Sequence, residues 1–432
     1  MDSLWTHFSS LPKFSRLKND IKTDVLIIGG GIAGVLIAYQ LQQQGVDYVL
    51  VEKNRICSGV TCNTTAKITY QHGLIYHKIM KSRGTEAAQK YLVANKLAFD
   101  KYTKLCQEID CDYETKDNYV YKTDGVNELE KEMKALDKIG YRAQLCNSTA
   151  LPFEISGAIK FAEQAQFNPL KFLSHIAKGL NIYENTFVRE MVGNTAITDA
   201  ANIIAKKVVV ATHFPFINKH GSYFIKLYQH RSYVLALENA PDVEGMYVDG
   251  NKTGISLRNY KNYLLVGGGG HRTGKNGGNW AELQKFAEKF YPKLKATHYW
   301  ATQDCITLDE IPYIGEYSAR TPDLLVATGF NKWGMTGAML SSMILCDILL
   351  GRKNDFEDVF SPSRSIIKPQ LFVNAFESTA NLLSFSKKRC PHLGCALKWN
   401  KVEHSWDCPC HGSRFAENGK LLDNPANGDM VK

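Results

Sequence analysis

Four residues near the C-terminus could together bind a metal centre. One residue separates Cys390 from His392, two separate Cys408 from His411, and fifteen lie between the two pairs. Two thiolates and two imidazoles are the ligands of a [2Fe–2S] cluster in which cysteines hold one iron and histidines the other. Because imidazole is neutral, such a cluster carries less negative charge than an all-thiolate cluster and accepts an electron more readily. The spacing therefore predicts an iron–sulfur centre at these four residues.

Zinc is the alternative metal for these ligands, since it also binds two Cys and two His. Zinc ligands usually come in pairs separated by two to four residues, and the first pair here is closer than that. The pattern resembles the Rieske iron–sulfur family, including Cys395 and Cys410 at matching places in the two segments. In Rieske proteins of cytochrome bc complexes, cysteines at those places form a disulfide that braces the two loops. The resemblance therefore implies a Cys395–Cys410 disulfide.

A dinucleotide-binding pattern lies near the other end of the chain. The apolar run at residues 24–28 predicts a strand buried on both faces, followed by a helix over residues 35–44 and a second strand that ends in Glu52. A turn of the form G-x-G-x-x-G joins the first strand to the helix, with glycines at Gly29, Gly31 and Gly34. Such glycines let the backbone approach a pyrophosphate at the helix N-terminus, and the acid accepts hydrogen bonds from the adenosine ribose. A membrane span or signal peptide is excluded, because the run is short and rich in glycine.

Three further segments favour FAD as the dinucleotide. Residues 55–67 are small and rich in hydroxyls, residues 207–212 predict a strand that ends in Ala-Thr, and residues 327–336 predict a turn before an apolar helix. With the glycine turn, these segments resemble the FAD-dependent oxidoreductases of the D-amino-acid oxidase, glycine oxidase and sarcosine oxidase superfamily, over about residues 20–351.

The resemblance implies specific contacts with FAD. It implies that Glu52 binds the ribose, that Thr212 lies by the adenosine, and that the turn at residues 329–336 meets the flavin pyrimidine. Cys305 does not lie where sarcosine oxidases carry their flavin-linked cysteine, so we expect non-covalent FAD. The candidate FAD-binding residues are Gly29, Gly31, Gly34, Glu52, Ser58, Thr61, Thr212, Gly329, Trp333, Gly334, Met335 and Thr336.

The chain as a whole resembles the Rieske-fused members of that superfamily, also in residues 304–315. This resemblance implies an α/β FAD-binding domain (Rossmann-like, of the glutathione-reductase type), an inserted α+β substrate domain and a small all-β Rieske-like C-terminal module. We expect the FAD-binding domain at residues 1–90, 150–225 and 306–351, the substrate or cap domain at 91–149 and 226–305, a linker at 352–385 and the Rieske-like module at 386–432.

The Rieske-like module is short for its family. Residues 383–386 are the only candidate strand close before the first ligand segment, and residues 396–400 and 404–407 predict a hairpin between the two segments. The usual base sheet is therefore reduced, and we expect the module to pack against the flavoprotein body.

Four consecutive glycines at residues 267–270 could suggest a second nucleotide site. No G-x-G-x-x-G register fits them, and no amphipathic helix follows directly. They predict a glycine-rich turn near the flavin, and no NAD(P)H domain is expected.

Composition limits the remaining classes. The 432 residues carry a net charge of +9 without a long run of like charges, so we expect no nucleic-acid partner. The hydrophobic fraction of 44% and the charged fraction of 22% are ordinary for a globular protein, and no membrane span is predicted. Seven further cysteines are scattered and odd in number, which fits reduced thiols in a cytoplasmic protein.

The two cofactors predict an oxidoreductase in which a substrate reduces FAD and the cluster passes single electrons to or from a partner protein. The fusion motivates this hypothesis, because a simple oxidase could deliver electrons directly to O₂. Two alternatives remain open: an electron-transfer reductase with no amine substrate, and a flavoprotein with a structural zinc tail.

The substrate is predicted only as a small molecule, an amine or amino-acid-like compound. Amino-acid-oxidising relatives carry an arginine that clamps the substrate carboxylate, and residues 301–305 contain none. Asp304 would repel a carboxylate and could favour an amine, although a structural hydrogen-bonding role fits it equally. Four further pocket candidates, for which we favour structural roles, are Lys67, His72, Arg258 and Tyr260.

The residues after the second ligand segment predict the cluster potential. Ser413 matches a serine that hydrogen-bonds the cluster in high-potential Rieske proteins, and Phe415 stands where those proteins have a tyrosine donor. Loss of one donor destabilises the more negative reduced cluster. We therefore expect a lower potential than in the Rieske centres of bc complexes.

Overall fold

The computed structural model describes residues 3–251 and 254–430, and its strands form three sheets. In chain order the strands are β1 (Ile21–Ile28), β2 (Tyr48–Val51), β3 (Lys67–Ile68), β4 (Glu114–Lys122), β5 (Gln144–Cys146), β6 (Gly157–Gln166), β7 (Ile182–Tyr183), β8 (Val188–Val192), β9 (Thr195–Thr198), β10 (Asn202–Val210), β11 (Leu227–Glu238), β12 (Met246–Asp249), β13 (Ser256–Tyr260), β14 (Tyr263–Arg272), β15 (Ala296–Thr307), β16 (Tyr313–Glu316), β17 (Leu324–Thr328), β18 (Lys398–Asn400), β19 (Ser405–Asp407), β20 (Arg414–Ala416) and β21 (Leu421–Asp423). The helices are α1 (Trp5–Phe8), α2 (Ile32–Gln43), α3 (Tyr76–Arg83), α4 (Thr85–Glu108), α5 (Asn127–Lys138), α6 (Pro169–Ile176), α7 (Tyr223–Lys226), α8 (Asn279–Phe290), α9 (Gly334–Leu349), α10 (Glu357–Phe360) and α11 (Pro369–Leu383), with a 3₁₀ turn at Val60–Asn63. Within those residues, no helix combines the length and apolar character needed to cross a bilayer.

The first sheet holds the predicted strand–turn–helix–strand unit. Its order is β16-β17-β10-β1-β2-β7, parallel except for β16, and the hairpin β8–β9 is added at β10. Val25 and Ile27 pack into one apolar cluster, whereas Leu26 and Ile28 pack into another. Because alternate side chains of a strand point to opposite faces, a strand covered on both faces needs an uninterrupted apolar run. This explains why β1 shows no polar alternation.

The second sheet lies beside the first and has the order β15-β11-β14-β13-β12-β4-β6-β3. Residues 267–270 lie within β14, so the prediction of a turn there was wrong. The glycines serve close packing instead. A Cβ on Gly267 would lie 2.7 Å from the Ser256 hydroxyl, and one on Gly270 would lie 2.6 Å from the His230 ring. The strand can therefore lie against its neighbours only where side chains are absent.

Sheet membership differs from the predicted domain division at two strands, β3 and β6, whose residues were both assigned to the FAD-binding domain. Residues 150–225 were assigned to the FAD-binding domain, but β6 pairs with β4 and β3 in the second sheet. The return to the first sheet comes at β7. The physical reason is long-range pairing: β6 is a long antiparallel partner of β4, buried except at residues 160, 162 and 163, and this pattern does not distinguish one sheet from the other. The boundaries themselves stay a prediction.

The third sheet is a small antiparallel meander in the order β18-β19-β20-β21. The predicted hairpin between the ligand segments is confirmed, with Trp399 opposite Trp406. Residues 383–386 form no strand; helix α11 occupies the expected linker and ends at Leu383. Pro369 stands in its first turn, and residues 370–383 contain no glycine or proline that would stop it.

One buried carboxylate joins the third sheet to the second. Glu403 accepts a hydrogen bond from the Arg414 guanidinium at 2.9 Å and forms an ion pair with Arg231 of β11. The Tyr233 hydroxyl donates to the same carboxylate at 2.9 Å. Arg414 also donates to Asp407 at 2.9 Å. The module is thus fixed to the body by charged groups that are largely shielded from water.

We expect Glu403→Gln to lower the free energy of unfolding by about 3 kcal/mol, because it leaves two buried guanidiniums without their shared charge. Urea unfolding followed by far-UV circular dichroism measures this. Glu417→Gln is the matched control, since Glu417 is exposed in the same module. Equal midpoints for both variants would contradict the prediction.

The same variant tests a pH dependence. Burial raises the pKa of Glu403, but Arg231 and Arg414 lower it by more, so its pKa lies below the ordinary value of 4.5. A carboxyl with a depressed folded-state pKa contributes stability above its unfolded pKa and loses it as pH falls through the folded pKa. On acidification below 4.5, the unfolding free energy of the wild type should therefore fall more steeply than that of Glu403→Gln. Parallel pH profiles would refute this assignment.

Candidate active site and metal centre

A cavity of about 650 Å³ lies where the first sheet, the second sheet and the C-terminal module meet. Its walls include the carboxyl end of β1, the loop after β2 and the turn before α9. Most of the residues predicted to bind FAD line it, namely Gly29, Gly31, Glu52, Ser58, Thr61, Thr212, Trp333, Gly334 and Met335.

The glycine turn has the shape that a bound pyrophosphate requires. Gly29 has a φ of +112°, which side-chain-bearing residues rarely adopt. A Cβ on Gly34 would lie 1.9 Å from the Gly29 carbonyl oxygen, so only glycine lets α2 start this close to β1. Gly31 caps α2 without a side chain, which leaves backbone N–H groups at the helix N-terminus open to an anion. The turn therefore fits a dinucleotide.

Glu52 lies beside this turn. Its Oε2 accepts a hydrogen bond from the Gly30 N–H at 2.7 Å, and its Oε1 accepts one from Asn54 at 2.9 Å. Burial raises the pKa of Glu52, and these two backbone donors oppose the rise. A carboxylate held in this way gains from further donors, such as the hydroxyls of a ribose. Thr61 instead uses its hydroxyl to accept from the Ile32 N–H at 3.0 Å.

The remaining predicted FAD residues lie behind the cavity wall. Gly34 packs against Gly29, and Gly329 has a φ of +70° in a turn where a Cβ would lie 2.3 Å from Thr307. Thr336 is buried and donates to the Thr69 carbonyl at 3.2 Å. These three positions shape the wall and do not face the cavity.

His72 and Lys67 line the cavity, whereas Arg258 and Tyr260 do not. His72 stacks on Trp333 with ring centroids 5.0 Å apart, and burial lowers its pKa to about 3. Burial and the nearby Arg258 lower the pKa of Lys67 to about 7. Arg258 is fully buried over the Trp5 ring, and its guanidinium finds no hydrogen-bond partner within residues 3–251 and 254–430.

Asp304 and Lys332 also line the cavity. Burial raises the pKa of Asp304 to about 6, although Lys332 and Arg231 oppose the rise. Burial lowers the pKa of Lys332, and Asp304 opposes this in turn. The charge of each side chain thus shifts the pKa of the other, although the two form no ion pair. The cavity wall therefore presents both a carboxylate and an amine to a substrate.

The two predicted metal-ligand loops come together at the other side of this wall. The imidazoles of His392 and His411 lie 5.0 Å apart between ring centroids. Both ring nitrogens of His411 and the Nδ1 of His392 are buried without a partner in the described chain. Burial lowers the pKa of His392 to about 4 and that of His411 to about 3. Both rings are therefore neutral near pH 7, as metal ligands must be.

The thiols complete the ligand set. Hydrogen bonding with the Cys408 thiol lowers the pKa of Cys390 to about 7, and the Ser413 hydroxyl contributes to this lowering. Cys395 and Cys410 form a disulfide that ties the two loops. Their sulfurs also lie near that of Cys408, but disulfide sulfurs are not thiolate ligands. Two thiols and two imidazoles, each with an Nδ1 unpartnered among the described residues, fit a [2Fe–2S] cluster of the Rieske type.

The second ligand loop is held directly by the body. Gln229 of β11 donates to the His411 carbonyl at 2.9 Å, and Gln303 of β15 donates to the Gly412 carbonyl at 2.9 Å. Gly412 has a φ of +87°, and a Cβ there would lie 2.5 Å from the Gln229 side chain. Asn424 donates to the carbonyl of Thr212, which follows β10, at 2.6 Å. The ligand loop and the cavity therefore share a wall.

The residues that form the wall between the cavity and the ligand loop were not predicted from the sequence. Gln229, Gln303 and Asn424 are isolated polar residues without a motif, and only contacts between distant segments give them a role. Lys332 lies in the segment predicted to form the turn at the flavin, residues 327–336. It is the only charged residue there, and this charge could have marked it as a candidate.

Comparison with known proteins agrees with both sites. The model of the DAO family, FAD dependent oxidoreductase, matches residues 24–348, and that of the Rieske [2Fe-2S] domain matches residues 362–432. The putative Rieske 2Fe-2S iron-sulfur protein YhfW of Bacillus subtilis (strain 168) is 32% identical over 98% of this chain and 96% of its own length. The cytochrome b6-f complex iron-sulfur subunit of Synechococcus sp. (strain JA-3-3Ab) is 54% identical over 37 residues, which cover 9% of this chain and 22% of that subunit.

Solved structures share the fold of the larger part. Glycine oxidase from Geobacillus kaustophilus aligns with a TM-score of 0.68 at 19% identity, over 80% of this chain and 99% of that one. L-proline dehydrogenase from P. horikoshii aligns with a TM-score of 0.67 at 19% identity, over 81% of this chain and 98% of that one. Taken with the matching family models, these findings show that the chain belongs to the DAO family of FAD-dependent oxidoreductases, binds FAD, and carries a C-terminal Rieske domain that binds a [2Fe–2S] cluster.

Proposed function

We propose that this protein is a dehydrogenase for a small amine or amino-acid-like molecule that exchanges single electrons with a partner protein through its Rieske domain. When bound, FAD supplies two-electron chemistry at the substrate, and the [2Fe–2S] cluster supplies one-electron chemistry towards the partner. The single observation that supports this proposal most is that the cavity and the second ligand loop share a wall. Thr212 lines the cavity and accepts a hydrogen bond from Asn424, while the carbonyl of Asn424 accepts one from Gln229, which also binds the cluster loop at His411.

The chain's own groups would hold both cofactors in one rigid frame. Gly29 and Gly31 would hold the pyrophosphate at the start of α2, and Glu52 would accept from the ribose. Cys390, His392, Cys408 and His411 would hold the cluster. Gln229 and Gln303 fix the second ligand loop by its backbone, so the ligand side chains keep their geometry without a flexible hinge.

Asp304 supports an amine as the substrate. Asp304 lines the cavity and has no ion-pair partner in the described part of the chain, and Lys332 and Arg231 are the positive charges that lower its pKa. An alkylammonium group would neutralise Asp304, whereas a bare carboxylate would meet repulsion there. An amino acid would need its own carboxylate to lie elsewhere, near Lys332 or Lys67 on the same cavity surface.

We expect His411→Ala to separate the two half-reactions. Loss of one iron ligand should slow electron delivery to a one-electron acceptor by about tenfold or more, because the cluster no longer has its full ligand set. Flavin bleaching by the amine should keep its wild-type rate. Anaerobic stopped-flow absorbance with a panel of amines, together with iron and sulfide analysis, measures both steps.

His404→Ala is the matched control, since His404 is exposed in the same module and distant from the ligand set. Equal loss of both half-reactions in His411→Ala would contradict the proposed division of labour. Wild-type protein whose flavin no amine bleaches would instead favour the reductase, and zinc without sulfide would overturn the electron relay.

We expect amine binding to weaken as pH falls below about 6, because Asp304, whose pKa burial raises to about 6, then becomes neutral. Asp304→Asn should bind the amine at least about tenfold more weakly, with this pH dependence removed. Flavin difference spectra on titration with the amine give the affinity at each pH. Asp304→Glu keeps the charge and should retain the pH dependence; an unchanged profile in Asp304→Asn would disprove the role.

We expect Phe415→Tyr to raise the cluster potential. Phe415 is fully buried in the apolar cluster around Cys390 and Cys408, so a new hydroxyl there would be close enough to stabilise the reduced, more negative centre. The wild-type potential should lie within the Rieske range of roughly −150 to +300 mV. Redox titration followed by electron paramagnetic resonance measures it, with Phe372→Tyr on the exposed surface as the control. A cluster potential that does not rise in Phe415→Tyr would contradict this prediction.

A further inference from the structure

Helix α11 turns its polar side chains towards the protein and its apolar side chains towards solvent. Asn374 and Asn381 are its buried residues. Asn374 accepts from the Arg272 guanidinium at 2.9 Å and donates to the Ile225 carbonyl at 3.1 Å. The exposed residues of the helix are Pro369, Phe372, Val373, Ala375, Phe376, Thr379, Ala380, Leu382 and Leu383. None of them is charged, which is the reverse of an ordinary surface helix.

Exposed apolar surface is concentrated in this segment. Eight of the sixteen large apolar side chains exposed in the described chain lie between Ile367 and Leu393, including every exposed phenylalanine. Phe372 is 66% exposed, Phe376 72% and Leu383 77%. Single exposed apolar residues need no explanation, but a contiguous set marks a contact surface. We call Phe372, Val373, Phe376, Leu382, Leu383 and Phe385 the apolar face.

The helix is held firmly in this orientation. Glu377, its one acidic residue, pairs with Lys275 of the body at 2.8 Å. Arg389, just beyond the helix, donates to the Leu382 carbonyl at 2.9 Å and to the Gly394 carbonyl of the first ligand loop at 3.0 Å. The apolar face therefore lies beside the loop that carries His392, and a surface that binds it would lie close to the cluster.

Basic residues flank the apolar face in the sequence. Between Lys368 and Lys401 the chain has six basic residues and a single acidic one, the paired Glu377. Three of the basic residues, at positions 387–389, are exposed in a row where the helix ends. Whatever covers the apolar face must accept phenylalanine and leucine side chains in its interior and positive charge at its rim.

We propose that the apolar face docks on the surface of an anionic lipid bilayer. Amphipathic surface helices bury phenylalanine and leucine at the boundary between headgroups and acyl chains while lysine and arginine contact anionic headgroups. Docking in this way would bring the ligand loop and Leu393 to the membrane surface. The proposal rests on the surface alone and is independent of the proposed catalytic function.

A second copy of this chain fits the apolar face less well than a bilayer does, because the basic residues of the two copies would repel each other. A two-fold contact brings the same patch of both subunits together, so residues 387–389 of each copy would lie near those of the other. An acidic carrier protein would complement the basic residues near the apolar face, but it would also need a matching apolar groove. The bilayer satisfies both requirements without a specific shape.

The test is sedimentation of the full-length holoprotein with lipid vesicles. We expect binding to vesicles of mixed phosphatidylcholine and phosphatidylglycerol, weaker binding to phosphatidylcholine alone, and weakening by salt. The double variant Phe372→Ser/Phe376→Ser should lose at least about tenfold in binding to the mixed vesicles. Lys387→Ser/Lys388→Ser should lose the preference for anionic lipid. Flavin and cluster absorbance serve as the check that each variant is folded.

The matched control is Leu145→Ser/Val192→Ser, which removes exposed apolar side chains from two other surfaces. It should bind vesicles as the wild type does. Absence of wild-type binding to anionic vesicles would overturn the proposal, as would equal loss in the control. A dimer in analytical ultracentrifugation that the phenylalanine variant dissolves, without vesicle binding, would identify a second copy as the occupant instead.

Discussion

The carboxylate of Glu403 lies between guanidiniums from two parts of the molecule, and the arrangement of both redox sites depends on it. Arg414 holds it from the module and Arg231 from the second sheet. Such a group is costly to bury, and only pairing with both arginines and with the Tyr233 hydroxyl offsets that cost. Moving the module would separate Glu403 from Arg231 and from the Tyr233 hydroxyl, so the interface favours one position of the module over all others. An apolar contact of the same area would allow the module to slide on the body.

Hydrogen bonds to backbone carbonyls supplement this ionic junction. Gln229, Gln303 and Arg272 donate to the carbonyls of the second ligand loop, and Asn424 donates to carbonyls at the end of β10. Donors aimed at main-chain oxygens fix a loop without using its side chains, which stay free to bind metal. The shortened module can therefore do without the larger base sheet of its family, because the oxidoreductase body supplies the missing support.

The local parts of this structure could be predicted from the sequence, and the parts made by distant contacts could not. The glycines from Gly29 to Gly34 and the cysteines and histidines from Cys390 to His411 carry their chemistry in short spacings, which physical constraints at one turn or one metal impose. β6 could not be assigned to its sheet, because pairing across residues 114–166 leaves no local mark. The glycines of β14 were read as a turn, since a strand that needs glycine for close packing has the composition of a loop. Helix α11 was predicted only as part of a linker, and helix periodicity shows where an apolar stripe lies but not which side of the helix meets the protein.

The cavity wall begins at Ile28 and ends at Asn427, so nearly the whole length of the chain takes part in enclosing one space. Contacts between segments this far apart carry an entropic cost of loop closure. The glycine turn lies within the first fifty residues, whereas other residues that line the same cavity lie between 414 and 427 in the Rieske domain. Loss of the C-terminal module would therefore open one side of this cavity to solvent, so that its enclosure depends on both ends of the chain.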